Sequence, residues 1–268
     1  MPPSAGGWLA AVVLGMAAAT SAGAEDLAPF LGAHQKASTL AEQSKWQDVA
    51  KVYETLATSQ SQDPCAPLAS VLQGIILRRE LKQADPARAA FERAAKAPQT
   101  PFGNELRQLA RTWLARLQME QIGPALERYW KKKVEYPEKL EALVELRLAP
   151  AELLVDPWGK PFSYAARALK ARPDLPRQYY TLACTAIEGD SRQLPNVLKQ
   201  TTTFPKKFQL KGIGAVKPLT ALIQLDEPGK KPAHVAEGEK IGPAKLIKLT
   251  PQGAILADGL GCVAVLPK

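Results

Sequence analysis

The sequence predicts a multidomain α+β protein with N-terminal α-helical hairpins, a middle α+β domain and a C-terminal small all-β barrel or sandwich. Apolar residues recur three and four positions apart between 38 and 120, which indicates helices. Two strand-like runs follow a helical pattern between 123 and 198, and five or six short strands complete the chain. With 268 residues, of which 46% are hydrophobic, the chain can bury a sizeable core, and its length suits two or three small domains.

The N-terminus has the pattern of a secretory signal peptide. Residues 1–24 carry no charged side chain, and Trp8 to Ala19 is an apolar run of twelve, shorter than the about 20 residues that cross a bilayer. Small residues at 21–24 suit a signal peptidase. We therefore expect a periplasmic or secreted protein that begins at Glu25 and has no membrane span after signal removal. The alternative is that the uncleaved segment anchors the chain.

Residues 25–122 form the predicted helical domain. One helix face is apolar at Trp46, Val49, Ala50, Tyr53 and Leu56, and Gly74 would let another helix approach closely. Tyr53 and Phe91 lie 38 residues apart, and with the small and proline positions around them they resemble degenerate tetratricopeptide repeats. Asn104 is expected to cap a further helix that ends near Gln121. A peptide-binding groove and a plain helical-hairpin core both remain open.

Residues 123–198 carry the most specific motif. Gly123 and Pro124 are expected to restart a helix, and a second short helix follows Tyr136-Pro137. A turn then reads D-P-W-G, in which the aspartate can accept backbone N–H bonds, the proline presets φ and the glycine relieves the fourth position. Strands at 162–164 and 178–184 are expected to pair as a hairpin. The structural motif comprises Asp156, Pro157, Trp158, Gly159, Pro161, Phe162 and Tyr164.

This motif and the helices before it resemble the globular head of type II secretion major pseudopilins, over about residues 126–195. The chain lacks that family's Gly-Phe cleavage site and the glutamate of its apolar helix. At the family's calcium loop it offers only Glu188 and Asp190, whereas Ca²⁺ takes about six to eight oxygens. These two are weak calcium candidates, and we expect neither a metal centre nor a cofactor.

A linker at 199–207 leads to a β domain at 208–268, which we expect to fold independently. Its pattern G-E-K-I-G, then K-L-I-K-L-T-P-Q-G-A-I-L, is similar to the homology region of the type II secretion inner-membrane clamp protein and to its pilus-system lipoprotein relative. In that family Gly238 and Gly242 would frame a turn. The resemblance implies docking to a partner protein, for which Lys245 and Lys248 are the candidate residues.

Charge and composition narrow the class of partner. The net charge is +9, and residues 199–268 hold eleven lysines against five acidic residues. The same segment has no arginine and only two aromatic residues, so a nucleic-acid interface is not expected. The alternative interpretation of the lysines is that they coat strand edges and prevent edge-to-edge pairing.

No catalytic motif is recognisable, so we expect a protein that is not an enzyme. A hydrolase ranks third, after the two hypotheses given below. His34 and His234, the only two histidines, are expected at the surface, and the three cysteines are expected to be buried. The leading hypothesis is an exported, non-enzymatic scaffold or adaptor of a type II secretion or pilus-like envelope apparatus, acting by protein–protein docking. The alternative is a periplasmic module that binds peptides or anionic polymers.

Overall fold

The computed structural model describes residues 27–59, 63–170, 173–187, 204, 207–214 and 218–268. Helices fill the N-terminal part and antiparallel sheets the C-terminal part, so the predicted mixed α+β class is confirmed. The proposed signal peptide, Glu188, Asp190 and most of the linker lie outside the described residues. No helix within these ranges is both long enough and apolar enough to cross a membrane.

Four helices form antiparallel neighbours at the start of the chain. They are α1 (Ala28–Glu42), α2 (Trp46–Ser59), α3 (Ala66–Arg79) and α4 (Ala84–Ala94). The expected apolar face of α2 is buried at Val49, Ala50, Tyr53 and Leu56. A Cβ placed on Gly74 of α3 would lie 2.6 Å from Cε1 of Phe91 on α4. The predicted close approach at Gly74 is therefore confirmed.

A single long helix, α5 (Pro101–Lys133), follows with 33 residues, about 50 Å at 1.5 Å per residue. Its N-cap is Thr100, whose hydroxyl accepts a 3.0 Å bond from the Gly103 N–H, and not Asn104. The helix continues through Pro124, where a restart was expected. Since Ile122 and Leu126 are fully buried on either side, packing outweighs the hydrogen bond that proline removes. The boundary drawn between residues 122 and 123 thus falls inside one helix.

The middle region packs on the second half of α5. It contains α6 (Glu141–Glu145), a 3₁₀ turn at Ala151–Leu154, and the strands β1 (Ser163–Arg167) and β2 (Tyr179–Ala183). The two strands pair antiparallel from Ser163↔Ala183 to Arg167↔Tyr179, which confirms the predicted hairpin. Leu126 of α5, Leu143, Phe162 and Leu182 lie in the shared core.

Two antiparallel sheets form the C-terminal region. The first has the order β3-β4-β5, and the second has the order β6-β7-β8-β9. Their bounds are β3 (Phe208–Ile213), β4 (Thr220–Leu225), β5 (Ala233–Ala236), β6 (Lys240–Ile241), β7 (Ala244–Thr250), β8 (Gly253–Ala257) and β9 (Val263–Pro267).

The two sheets share a core to which both contribute, for example through Ile223 and Leu256. They do not close into a barrel within the described ranges, so that part of the prediction is corrected. The chain leaves the first sheet after Ala236, turns at Gly238 with φ of +94°, and begins the second sheet at Lys240. This turn separates β5 from β6 and leaves them in different sheets.

Strand β8 is buried on both faces. Leu256 faces the first sheet, whereas Ile255 and Ala257, with Ile247 of β7, belong to the core of the N-terminal helices. A Cβ on Gly253 would lie 3.2 Å from the Leu31 side chain of α1. An isolated fragment 208–268 would expose this second face, so the packing does not support the expectation that it folds independently.

Candidate functional site

The D-P-W-G turn has the hydrogen bonds that its sequence predicts. Oδ1 of Asp156 accepts from the backbone N–H groups of Trp158 and Lys160, each at 2.9 Å. Oδ2 accepts from the Cys184 thiol at 3.3 Å. Gly159 has a φ of +81°, a conformation that costs glycine little. Asp156 is only 4% exposed, so its carboxylate is a structural acceptor inside the turn.

The rest of the motif packs around this turn. Phe162 is buried in the middle core, and Pro161 forms an isolated bridge with Val155. The Tyr164 hydroxyl donates to the Pro137 carbonyl at 2.9 Å, and burial raises the pKa of that phenol. Pro157 is half-buried. These residues build the loop that presents Trp158.

A second loop repeats this geometry, and the sequence analysis missed it. Oδ1 of Asp258 accepts from the N–H groups of Leu260 at 3.0 Å and Cys262 at 2.7 Å. Gly261 has a φ of +91°. The shared signal is an aspartate with glycine three positions later, in D-P-W-G and in D-G-L-G.

Both loops are fastened to α5 by buried or half-buried donors. The Trp158 indole N–H donates to Oε1 of Gln108 at 2.8 Å. The Trp113 indole N–H donates to the Gly261 carbonyl, and Arg116 donates to the Leu260 carbonyl, both at 2.8 Å. Trp158 therefore contacts the helix that contains Tyr129, but it does so at Gln108, about 32 Å nearer the N-terminus of that helix.

Trp113 is the centre of the attachment of the second loop. Its ring stacks on Phe91 with centroids 5.4 Å apart, and the Arg116 guanidinium lies 4.2 Å above the ring. A Cβ on Gly261 would lie 2.9 Å from the indole nitrogen, so only glycine permits this approach. Desolvation lowers the pKa of Arg116 to about 10, and nearby Asp258 partly opposes that shift. The guanidinium therefore remains charged at neutral pH.

The two candidate docking lysines also contact α5. Nζ of Lys245 forms an ion pair with Oε1 of Glu105 at 2.6 Å. Nζ of Lys248 lies 5.6 Å from the centroid of the Phe102 ring. Both side chains thus join the second sheet to the first turns of the helix.

These attachments enclose a cleft of about 610 Å³ between the three regions, which we call the junction cleft. Leu109, Ile247 and Ala257 supply apolar surface, and Trp158 supplies an aromatic wall. Charged and polar groups complete the lining at Glu105, Gln108, Thr112, Lys240, Lys245 and Asp258. Clefts of this volume with a few polar groups suit a small ligand or a short peptide segment.

Outside the junction cleft, the described titratable groups include the three buried cysteines. The part of the chain that the structure describes has no cluster of three metal-ligating side chains. None of the three cysteines forms a disulfide. All three are buried, as predicted. Burial raises the pKa of Cys184 and of Cys262 to about 12, so both thiols stay protonated at neutral pH.

The two histidines differ in burial. Nδ1 of His34 lies 2.8 Å from the Tyr53 hydroxyl, and desolvation lowers the pKa of His34 to about 4. It is half-buried, and the expectation of a surface position is corrected because the side chain packs between Phe30 and Tyr53. His234 is exposed, as expected.

Comparison with family models, with curated proteins and with solved structures finds no match to this chain.

Proposed function

We propose that this protein is an exported, non-enzymatic adaptor of a type II secretion or pilus-like envelope apparatus. It acts by docking a segment of a partner protein in the junction cleft. The observation that carries the proposal is that α5, the D-P-W-G loop and the second sheet all contribute side chains to one cleft. The sequence resemblances of the middle and C-terminal regions to two components of one apparatus support the choice of partner class.

The lining favours an extended peptide as the occupant. Leu109 and Ile247 offer apolar contact, and the Trp158 ring can cover a side chain placed between them. Lys240 and Lys245 stand on one side of the cleft, so an acidic residue in the peptide would find opposite charge. Lys245 already pairs with Glu105, and this pair fixes the wall of the cleft on the second sheet.

Substitutions in the cleft test this function. Trp158→Ala and Lys240→Glu should each reduce recovery of an envelope protein by the full chain at physiological salt, by about tenfold or more. Lys139→Glu, an exposed charge reversal in the middle region, is the matched control. Equal recovery by the parent, both cleft variants and the control would contradict docking in the cleft.

A second candidate function, peptide binding by the helices alone, has its own supporting observation. A groove of about 480 Å³ lies between α1 and α2, with Leu40, Val52 and Leu56 in its lining. Lys36 and Lys51 stand beside these apolar residues. If this groove is the docking site, Val52→Glu should abolish recovery of the partner while Trp158→Ala has no effect.

A further inference from the structure

Exposed apolar side chains are concentrated at the C-terminal end of α5. Among the described residues, seven large hydrophobic side chains are exposed, and five of them belong to the end of α5 or to the hairpin between Arg167 and Tyr179. Val134 is the most exposed, at 67%. We call this surface the α5-end patch; its members are Trp130, Val134, Leu169, Leu175 and Tyr179. Such a concentration usually marks an interaction surface.

A side-chain hydrogen bond brings the two segments together. Trp130 and Val134 are one helical turn apart, and the Val134 N–H donates to the Trp130 carbonyl. The Gln178 side-chain amide donates to the Val134 carbonyl at 2.9 Å, which places Tyr179 beside the helix end. Tyr179 pairs with Arg167 across the hairpin, two residues before Leu169.

The patch is held in place at a conformational cost. Val134 and Arg177 have φ of +62° and +46°, values that are unfavourable for non-glycine residues and most of all for a β-branched one. The Tyr136 N–H donates to the Arg177 carbonyl at 2.9 Å, and Arg177 forms a 2.6 Å ion pair with Glu135. A valine that is strained yet exposed contributes little to the core, which is consistent with a role at the surface.

Positive charge adjoins the apolar surface. Lys131, Lys132 and Lys133 are consecutive and exposed, between Trp130 and Val134. Tryptophan and tyrosine favour the boundary between headgroups and acyl chains, and lysine reaches from there to anionic headgroups. Each lysine near an anionic membrane strengthens binding about fivefold.

We infer that the α5-end patch docks the folded protein onto the surface of an anionic lipid bilayer. The aromatic and aliphatic side chains enter the headgroup boundary, and the three lysines contact lipid phosphates. A fluid lipid surface does not need to match the shape of the protein. Side chains from a helix end and a hairpin can therefore enter it together. Gln108 lies about 33 Å along α5 from Trp130, so a docked molecule would hold the junction cleft away from the bilayer.

Vesicle binding tests the inference. The protein used is the chain from Glu25, which keeps every described residue, because the apolar run 8–19 would itself bind lipid. Vesicles of phosphatidylcholine alone are compared with vesicles in which about a third of the lipid is phosphatidylglycerol, a content that gives an anionic surface. We expect binding to the anionic vesicles and weak binding to the neutral ones.

Two variants with matched controls identify the surface. Replacing Lys131, Lys132 and Lys133 by glutamine should weaken anionic-vesicle binding on the order of 100-fold, whereas the same change at Lys36, Lys45 and Lys51 should weaken it by about threefold or less. Trp130→Ala should weaken binding by about tenfold, whereas Leu146→Ala, at an exposed site outside the patch, should not. Equal melting temperatures establish that the variants are folded.

Brominated lipids give a second readout that does not depend on affinity. Quenching of tryptophan fluorescence should be strong in the parent and should fall in Trp130→Phe, since Trp130 is the indole placed at the bilayer. No difference in quenching between the two would overturn the inference. Capture of acidic proteins or polyphosphate without binding to anionic vesicles would also overturn it, and would identify the patch as a polyanion site.

Discussion

Asp156 and Asp258 occupy equivalent positions in two loops that have the same hydrogen-bond pattern. Each carboxylate accepts hydrogen bonds from the N–H groups two and four residues ahead, and each loop has a glycine with positive φ three residues after the aspartate. The Asp156 N–H donates to the Lys160 carbonyl, and the Asp258 N–H donates to the Cys262 carbonyl. Both loops attach to α5. The middle and C-terminal regions are therefore fixed to the same helix, each through an aspartate-centred loop of the same kind.

Removing either carboxylate should destabilise the whole protein. Asp156→Ala and Asp258→Ala each leave two N–H groups without their acceptor, and we expect a loss of about 2 to 4 kcal/mol in the free energy of unfolding. Asp156→Asn retains an acceptor oxygen and should cost about 1 kcal/mol. Asp226→Ala, at an exposed turn, is the control and should change little.

Denaturant unfolding followed by circular dichroism checks this prediction. Both alanine variants should shift one common transition, because the two loops stabilise contacts with a single helix. A separate early transition for only one region would show that the regions are not coupled through α5.

Trp158 and Trp113 should differ in their cost on truncation. Trp113 is 2% exposed and stacked on Phe91, so Trp113→Ala should cost about 3 to 5 kcal/mol. Trp158 is half-buried at the rim of the junction cleft, so Trp158→Ala should cost about 1 to 2 kcal/mol. Thermal unfolding of the two variants measures both values. Equal losses would mean that Trp158 is a core residue and is not available to a partner.

Alanine substitutions at three glycines distinguish sites where the added methyl group would clash from a site where it would not. Gly74→Ala would press a methyl group against the Phe91 ring and Gly261→Ala against Trp113, and Gly261 also needs its positive φ. We expect each to cost about 2 kcal/mol or more. Gly32→Ala, inside α1 with nothing within 4 Å of the added carbon, should stabilise the protein by about 0.5 to 1 kcal/mol. Urea midpoints report all three, and a stabilised Gly74→Ala variant would contradict the close helix approach.

Stability should fall in mild acid because of His34. Its pKa is lowered to about 4 in the folded protein, against an ordinary value of 6.5, since burial favours the neutral ring. The unfolded chain therefore binds the proton first as pH falls, and this contribution to stability is complete above pH 6.5 and is lost between pH 6.5 and 4. We expect a loss of about 1 to 3 kcal/mol over that interval.

His34→Gln keeps a partner for the Tyr53 hydroxyl but cannot titrate there. Its free energy of unfolding should change less between pH 6.5 and 4 than that of the parent. Parallel pH profiles for the two proteins would show that His34 does not cause the acid sensitivity.

Local features of the fold could be predicted from the sequence, whereas long-range packing could not. The turn at Asp156 and the pairing of β1 with β2 follow from residues close together in the chain. The bond from Trp113 to Gly261 joins residues 148 positions apart, and no local pattern signals it. Continuity of α5 through Pro124 also depends on tertiary burial.

The candidate site was predicted only in part for the same reason. Trp158 was recognised as a motif residue, but its contact with Gln108 requires the folded chain. Lys245 and Lys248 were chosen as candidate docking residues, and in the structure they contact Glu105 and Phe102 of α5. Charge alone could not reveal that this sheet face lies against a helix.

Site-specific photo-crosslinking tests the central claim, that a partner segment docks in the junction cleft. A photoreactive phenylalanine analogue replaces Trp158 in one version of the full chain and the exposed Lys139 in another, and both are irradiated with envelope extract at physiological salt. If a partner segment docks in the cleft, position 158 forms a discrete adduct with one protein through one extended segment, and position 139 forms none. Adducts of equal yield at both positions, or none at 158, would contradict it.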